Sequence, residues 1–224
     1  MKGRLLALGV ALGGAAQAAV ILPPDSDARW KAVSDKLIST VIEVQGQQAE
    51  DTISFGSGVL LGNGLAITTL HAVAQPSANG QMTPLRDVRV LVPDVGPLDA
   101  RVMAGVPELD LAVLLLPERA ASIAGAPLAT EMPAAGDLLV AMGAGDDAIT
   151  VRGVVVSAVD GDVFRLVSKR TTDSRFWGGP LFDAQGRLVG VQLTSLAGSK
   201  AISARVILRL IEERGLSQGS ADPR

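Results

Sequence analysis

The chain contains no cysteine and only one histidine, His71. Without thiols there is no disulfide, no thiolate zinc site, no cysteine nucleophile and no lipid anchor on an N-terminal cysteine. A single imidazole also leaves too few ligands for a histidine-rich centre, so neither a metal nor a cofactor is expected. Basic charge is scarce as well. Twenty Lys and Arg stand against 23 Asp and Glu, a formal net charge of −3 over 224 residues. With no basic run, the chain lacks the electrostatic footprint of a protein that binds nucleic acid or an anionic membrane. No internal repeat is visible. The stretch "GAGDD", residues 143–147, lacks the following helix and lysine of a phosphate-cradling loop. It reads as a loop with two solvated acids.

Long hydrophobic runs are missing after the first residues. The opening "MKGRLLALGVALGGAAQAAV" has a basic start at Lys2 and Arg4, an apolar run from Leu5 to about Ala16, and the small residues Ala16-Gln17-Ala18. That is the pattern of a secretory signal with its cleavage site. The run is too short to span a bilayer comfortably, which takes about 20 apolar residues. Residues 1–18 are therefore read as a signal peptide. The remainder is read as a secreted or periplasmic protein without a membrane span.

In "PPDSDARWKAVSDKL", Trp30, Val33 and Leu37 share one helical face and Asp27 is a candidate N-cap. Short strands follow: "LISTVIEV", "ISFGSGVLL", "GLAIT", "DVRVLVP", "LDARVM" and "LDLAVLLLP". Gly, Pro, Asn and Asp separate them, as turn chemistry requires. Residues 119–136, rich in Ala and Pro, read as a linker. A second set comprises "DLLVAMG", "AITVRGVVVSAV", "DVFRLVS", "GPLFD" and "GRLVGVQLT", with "DAQG" as a hairpin turn between the last two. In "SARVILRLIEERG", Val206, Ile207, Leu210 and Ile211 form an apolar helical stripe closed by Gly215. The expected class is all-β: two antiparallel barrels with a short N-terminal helix and a C-terminal helix. The expected division is helix and first barrel over 19–118, linker over 119–136, second barrel and helix over 137–215, and a disordered tail over 216–224.

Three stretches carry a resemblance. They are "GSGVLLGNGLAITTLHAVA" with His71, "ELDLAVLLLP" with Asp110, and "RFWGGPLFD" with Trp177. In this order they resemble trypsin-like serine proteases, nearest the bacterial Deg/HtrA branch, over about residues 37–213. The resemblance implies two six-stranded barrels with a cleft between them. His71 would be the general base and Asp110 the carboxylate that orients it. Arg175, Phe176 and Gly178 would belong to the loop that builds the oxyanion hole. The PDZ domain common in that branch is not expected here.

Trp177 departs from the pattern. It stands where the family keeps its nucleophilic serine, and indole has an N–H but no atom that attacks a carbonyl as an alcohol does. Losing the serine of such a triad costs on the order of 10⁶ in turnover, roughly 8 kcal/mol of barrier. Arg175 replaces the glycine whose backbone supplies an oxyanion donor, and an L-residue reaches that conformation at a cost of about 1–2 kcal/mol. Phe176 stands where vertebrate-type relatives keep an acid. An engineered knockout of an active protease would have left these two neighbours alone.

The expected function is thus a secreted serine-protease homologue with a vestigial His71–Asp110 dyad, which binds a polypeptide or peptide partner. Trp177 is expected to plug the cleft beside His71. The alternative is an active serine endopeptidase using Ser174, which follows Asp173 but requires three inserted residues before "GGP". Thr171 and Thr172 lie further off. Ser57, in "FGSGV", reads as a strand-edge residue in a glycine-rich turn.

Overall fold

A computed structural model describes residues 28–49, 52–145, 148–167, 174–193 and 199–216. The signal-like residues 1–18, Asp27, Asp146, Asp147, Thr171, Thr172 and Asp173 lie outside them, as does all of the expected tail except Leu216.

The first helix, α1 (Ala28–Leu37), buries the stripe read from the sequence: Trp30, Val33 and Leu37 are all under 9% exposed. One 3₁₀ turn later the chain enters β1 (Val41–Ala49), then β2 (Thr52–Gly62) and β3 (Leu65–Thr69). A single helical turn, α2 (Leu70–Val73), follows. The short hairpin β4 (Ala74–Pro76) and β5 (Met82–Pro84) comes next, then β6 (Val88–Val92), β7 (Gly96–Val106) and β8 (Leu111–Leu115). These strands close a barrel in the order β1-β2-β3-β8-β7-β6, with β4–β5 as a separate two-stranded sheet.

Residues 119–136 include the end of a 3₁₀ turn at Glu118–Ala120 and one parallel bridge, Leu128 to Leu188. Then come β9 (Leu138–Gly145), β10 (Ala148–Asp160), β11 (Val163–Val167), β12 (Pro180–Phe182), β13 (Leu188–Leu193) and β14 (Ser199–Ser203). They close a second barrel, β10-β11-β14-β13-β12-β9. The last helix, α3 (Ala204–Glu213), buries Val206, Ile207 and Leu210, with Ile211 half-buried.

Strand alternation explains both barrels and how they join. Successive side chains point to opposite faces, and here both faces of the central strands are covered. On β8, Ala112 and Leu114 point into the first barrel, while Leu111 and Val113 join the core shared with the second. On β9, Leu139 and Ala141 point into the second barrel, while Val140 and Met142 face the first. That is why "LAVLL" and "LLVAM" are continuously apolar rather than alternating. Both helices seal the shared core through Trp30, Leu37, Ile207 and Leu210.

The "DAQG" turn forms as its residues dictate. The Asp183 carboxylate accepts the N–H groups of Gln185 and Arg187 at 3.0 and 2.9 Å, and the Gly186 N–H donates to the Asp183 carbonyl.

Candidate active site

Strand register brings the two sequence-distant polar residues together. On neighbouring β3 and β8, Thr69 pairs with Leu111. His71 begins just beyond the end of one strand and Asp110 lies just before the other, so both emerge at the same barrel rim.

Three contacts join them. The Leu70 N–H donates to the Asp110 carbonyl at 3.1 Å, and the His71 N–H to Asp110 Oδ1 at 3.0 Å. The His71 ring meets Asp110 Oδ2 through Nδ1 at 2.8 Å. A carboxylate only accepts, so in this pair Nδ1 carries the proton and Nε2 faces away from the acid. Asp110 reaches this pose in the left-handed region, φ 48° and ψ 45°. Short polar side chains tolerate that conformation better than others do.

Trp177 comes from the other barrel. Its indole meets the His71 imidazole edge to face, with ring centroids 5.8 Å apart and planes at 75°. Such T-shaped pairs suit the quadrupoles of both rings. The ring is half-buried.

The loop before it forms a single 3₁₀ turn, Ser174–Phe176. The Trp177 N–H donates to the Ser174 carbonyl at 3.0 Å, the Gly178 N–H to Gln192 at 2.8 Å, and the Gly179 N–H to Phe176 at 3.0 Å. These three successive donors are all satisfied within the protein. An oxyanion hole instead needs backbone donors aimed at the reacting centre. Arg175 does not take up a glycine-type conformation. Among the described residues, only Asn63, Asp94 and Asp110 have positive φ without being glycine.

The neighbours of Trp177 have packing roles that no local sequence pattern carries. Phe176 is 1% exposed in the core of the second barrel, with the Arg152 guanidinium 4.2 Å from its ring centroid, a cation–π geometry. Arg175 runs along β9, and its Nη1 donates to Thr150 Oγ1 at 3.4 Å. Gly143 admits this loop, because a Cβ there would stand 2.2 Å from the Arg175 carbonyl oxygen.

Ser57 sits inside β2, paired with Glu43, rather than at a strand edge. It is fully buried and fastens the loop to both barrels. Its N–H donates to the Trp177 carbonyl at 2.7 Å, its hydroxyl donates to the Arg175 carbonyl, and it accepts the Ala144 N–H at 2.7 Å. Ser174, by contrast, is exposed at the start of the turn. No group of acidic or histidine side chains that could hold a metal occurs among the described residues.

The architecture has close counterparts in solved structures. The Rv3671c protease from M. tuberculosis in its active form superposes with a TM-score of 0.71 at 18% identity, over 95% of this chain and 97% of that one. The inactive form of the Rv3671c protease gives 0.68 at 19% identity, over 88% and 100%. The serine endoprotease from Yersinia pestis gives 0.69 at 19% identity, over 84% of this chain and 67% of that one. No curated protein matches the sequence. The model of the trypsin-like peptidase domain matches residues 56–191, from the glycine before Ser57 to the middle of β13, and so includes His71, Asp110 and Trp177. With more than half the chain matched and two six-stranded barrels in place, this protein belongs to the trypsin-like peptidase family.

Proposed function

We propose that this chain is a trypsin-like pseudoprotease: it acts outside the cytoplasm and holds a polypeptide partner without cutting it. The observation that carries the reading is the indole of Trp177 against His71. Where the family chemistry needs an oxygen that gives its proton to the imidazole, this chain presents an aromatic ring in T-shaped contact. The satisfied N–H groups of residues 177–179 support the same reading. A polypeptide is the favoured ligand because the fold's cleft lies between barrels whose relatives are named as proteases. Export is supported by the basic start and apolar run of residues 1–18. No helix among the described residues is long and apolar enough to cross a membrane.

A fluorophosphonate probe on the purified protein tests inactivity. The expected result is no covalent labelling. The competing reading, a working endopeptidase with Ser174 as nucleophile, draws on the exposure of that hydroxyl next to the site. Labelling that disappears in Ser174→Ala would establish it and overturn the pseudoprotease. Export is checked by N-terminal sequencing of the protein recovered from the cell envelope or medium, which should begin at Ala19.

A further inference from the structure

The two barrels also meet in a second concavity, a groove of about 470 Å³ beside the loop. Its apolar walls include Ile38, Leu91 and Pro97 from the first barrel's side and Ile149 from the second. The acids Glu43 and Asp94 line it, and no lysine or arginine does among the described residues. Ile38, on its wall, is 42% exposed. Gly145 separates this groove from the Trp177 loop, since a Cβ on it would stand 3.1 Å from Arg175 Cγ.

We infer that this groove docks a polypeptide segment in which an apolar side chain is flanked by lysine or arginine. The apolar walls reward burial of an aliphatic side chain. The carboxylates of Glu43 and Asp94, on a chain that is acidic overall, select a basic flank and repel an acidic one. The same charges disfavour an anionic lipid surface. Contributions from both barrels mean that an occupant bridges them next to the Trp177 loop. This inference goes beyond the pseudoprotease reading and stands whether or not the chain hydrolyses peptides.

The test uses the full mature chain and two blocked peptides, one with Lys-Leu-Ile-Lys at its centre and one with Glu-Leu-Ile-Glu. Binding is followed by NMR of the isoleucine methyl groups. The lysine peptide should shift the Ile38 and Ile149 methyls and bind at least about tenfold more tightly than the glutamate peptide. That gap should shrink in high salt. The double variant Glu43→Lys, Asp94→Lys should reverse the preference. The single variant Ile38→Glu, at an exposed position, should weaken the lysine peptide about tenfold. Equal affinities for both peptides, or methyl shifts elsewhere that these variants leave unchanged, would overturn the inference. Concentration-dependent shifts of the same methyls without peptide would do so too, by assigning the groove to a second copy of the chain. Fluorophosphonate labelling and the methyl shifts of Ile38 and Ile149 are separate readouts on the same protein, so the pseudoprotease reading and groove binding can fail independently.

Discussion

The imidazole of His71 is held from two sides: Asp110 binds Nδ1 at 2.8 Å, and the edge-to-face ring of Trp177 lies with its centroid 5.8 Å from that of the imidazole. The first contact is the geometry in which a carboxylate fixes a catalytic base. The second is a packing contact worth about 0.5–1.5 kcal/mol beyond the area it buries. Together they keep a proton acceptor oriented while an aromatic ring stands beside it.

Restoring a hydroxyl should therefore not be enough. Trp177→Ser supplies the oxygen but leaves the backbone that surrounds it. The N–H of residue 177 remains bonded to the Ser174 carbonyl, and Arg175 remains bonded through its own carbonyl to Ser57. The expected outcome is no detectable hydrolysis of denatured casein and no fluorophosphonate adduct on residue 177. Full recovery of either would show that the loop rearranges freely and that the tryptophan alone blocks the chemistry.

Ser57 is the next point of test. Its hydroxyl satisfies the Ala144 N–H and the Arg175 carbonyl, and its side chain is fully buried. Ser57→Ala leaves both groups without this partner, at about 1–3 kcal/mol for each orphaned group. A loss of about 2–3 kcal/mol in denaturant unfolding is expected, with no change in the fold by circular dichroism. A loss below about 0.5 kcal/mol, the range of an ordinary surface change, would rule out the clamp.

How much of this was legible in the sequence depended on whether the signal was local. The strands of the first barrel announced themselves through runs such as "LDLAVLLLP", because burial on both faces leaves no polar residue to interrupt them. His71 and Asp110 could be singled out because the stretches that hold them, each beside one of those runs, resemble the trypsin-like proteases. The β14 strand, "SKAIS", carried no such signal. Its identity comes from β11 and β13, which pair with it on either side. The β4–β5 hairpin is likewise too short for a readable period. The burial of Ser57 inside β2 is hidden for a related reason. Between two glycines it looks like a turn, yet its hydroxyl's partner is 118 residues away in the chain. Phe176 lies in the loop that the resemblance implies, and its side chain also joins the second barrel's core, which only the fold brings to it.

Two glycines of similar backbone geometry should respond very differently to alanine. Gly178 has φ 79° and Gly80 has φ 81°, so each substitution places an L-residue in the left-handed region at about 1–2 kcal/mol. At Gly80 the new methyl group meets nothing within 4 Å. At Gly178 it would lie 2.2 Å from the Ser57 carbonyl oxygen, a backbone atom that cannot turn aside. Forcing the strand and the loop apart adds about 1–3 kcal/mol, as overpacking does. Unfolding measurements should thus find Gly178→Ala at least about 1 kcal/mol worse than Gly80→Ala. Equal losses would mean that the loop after Trp177 does not pack tightly against β2.

The sole histidine makes the dyad directly observable. Asp110 accepts from the His71 backbone N–H with one oxygen and meets the ring Nδ1 with the other. In Asp110→Asn the amide oxygen can keep the backbone bond, and the amide nitrogen then faces the ring. That nitrogen only donates, so Nδ1 must give up its proton and the neutral ring must switch to the Nε2–H tautomer. Asparagine tolerates the left-handed backbone of position 110 about as well as aspartate, so stability should change little. Nitrogen-15 NMR of the untagged protein, in which one imidazole gives the whole signal, reports the tautomer directly. The parent should show a protonated Nδ1 in the neutral ring, and the variant a protonated Nε2. If both proteins show the same tautomer, the Asp110 side chain does not orient His71, and the vestigial-dyad reading falls with it.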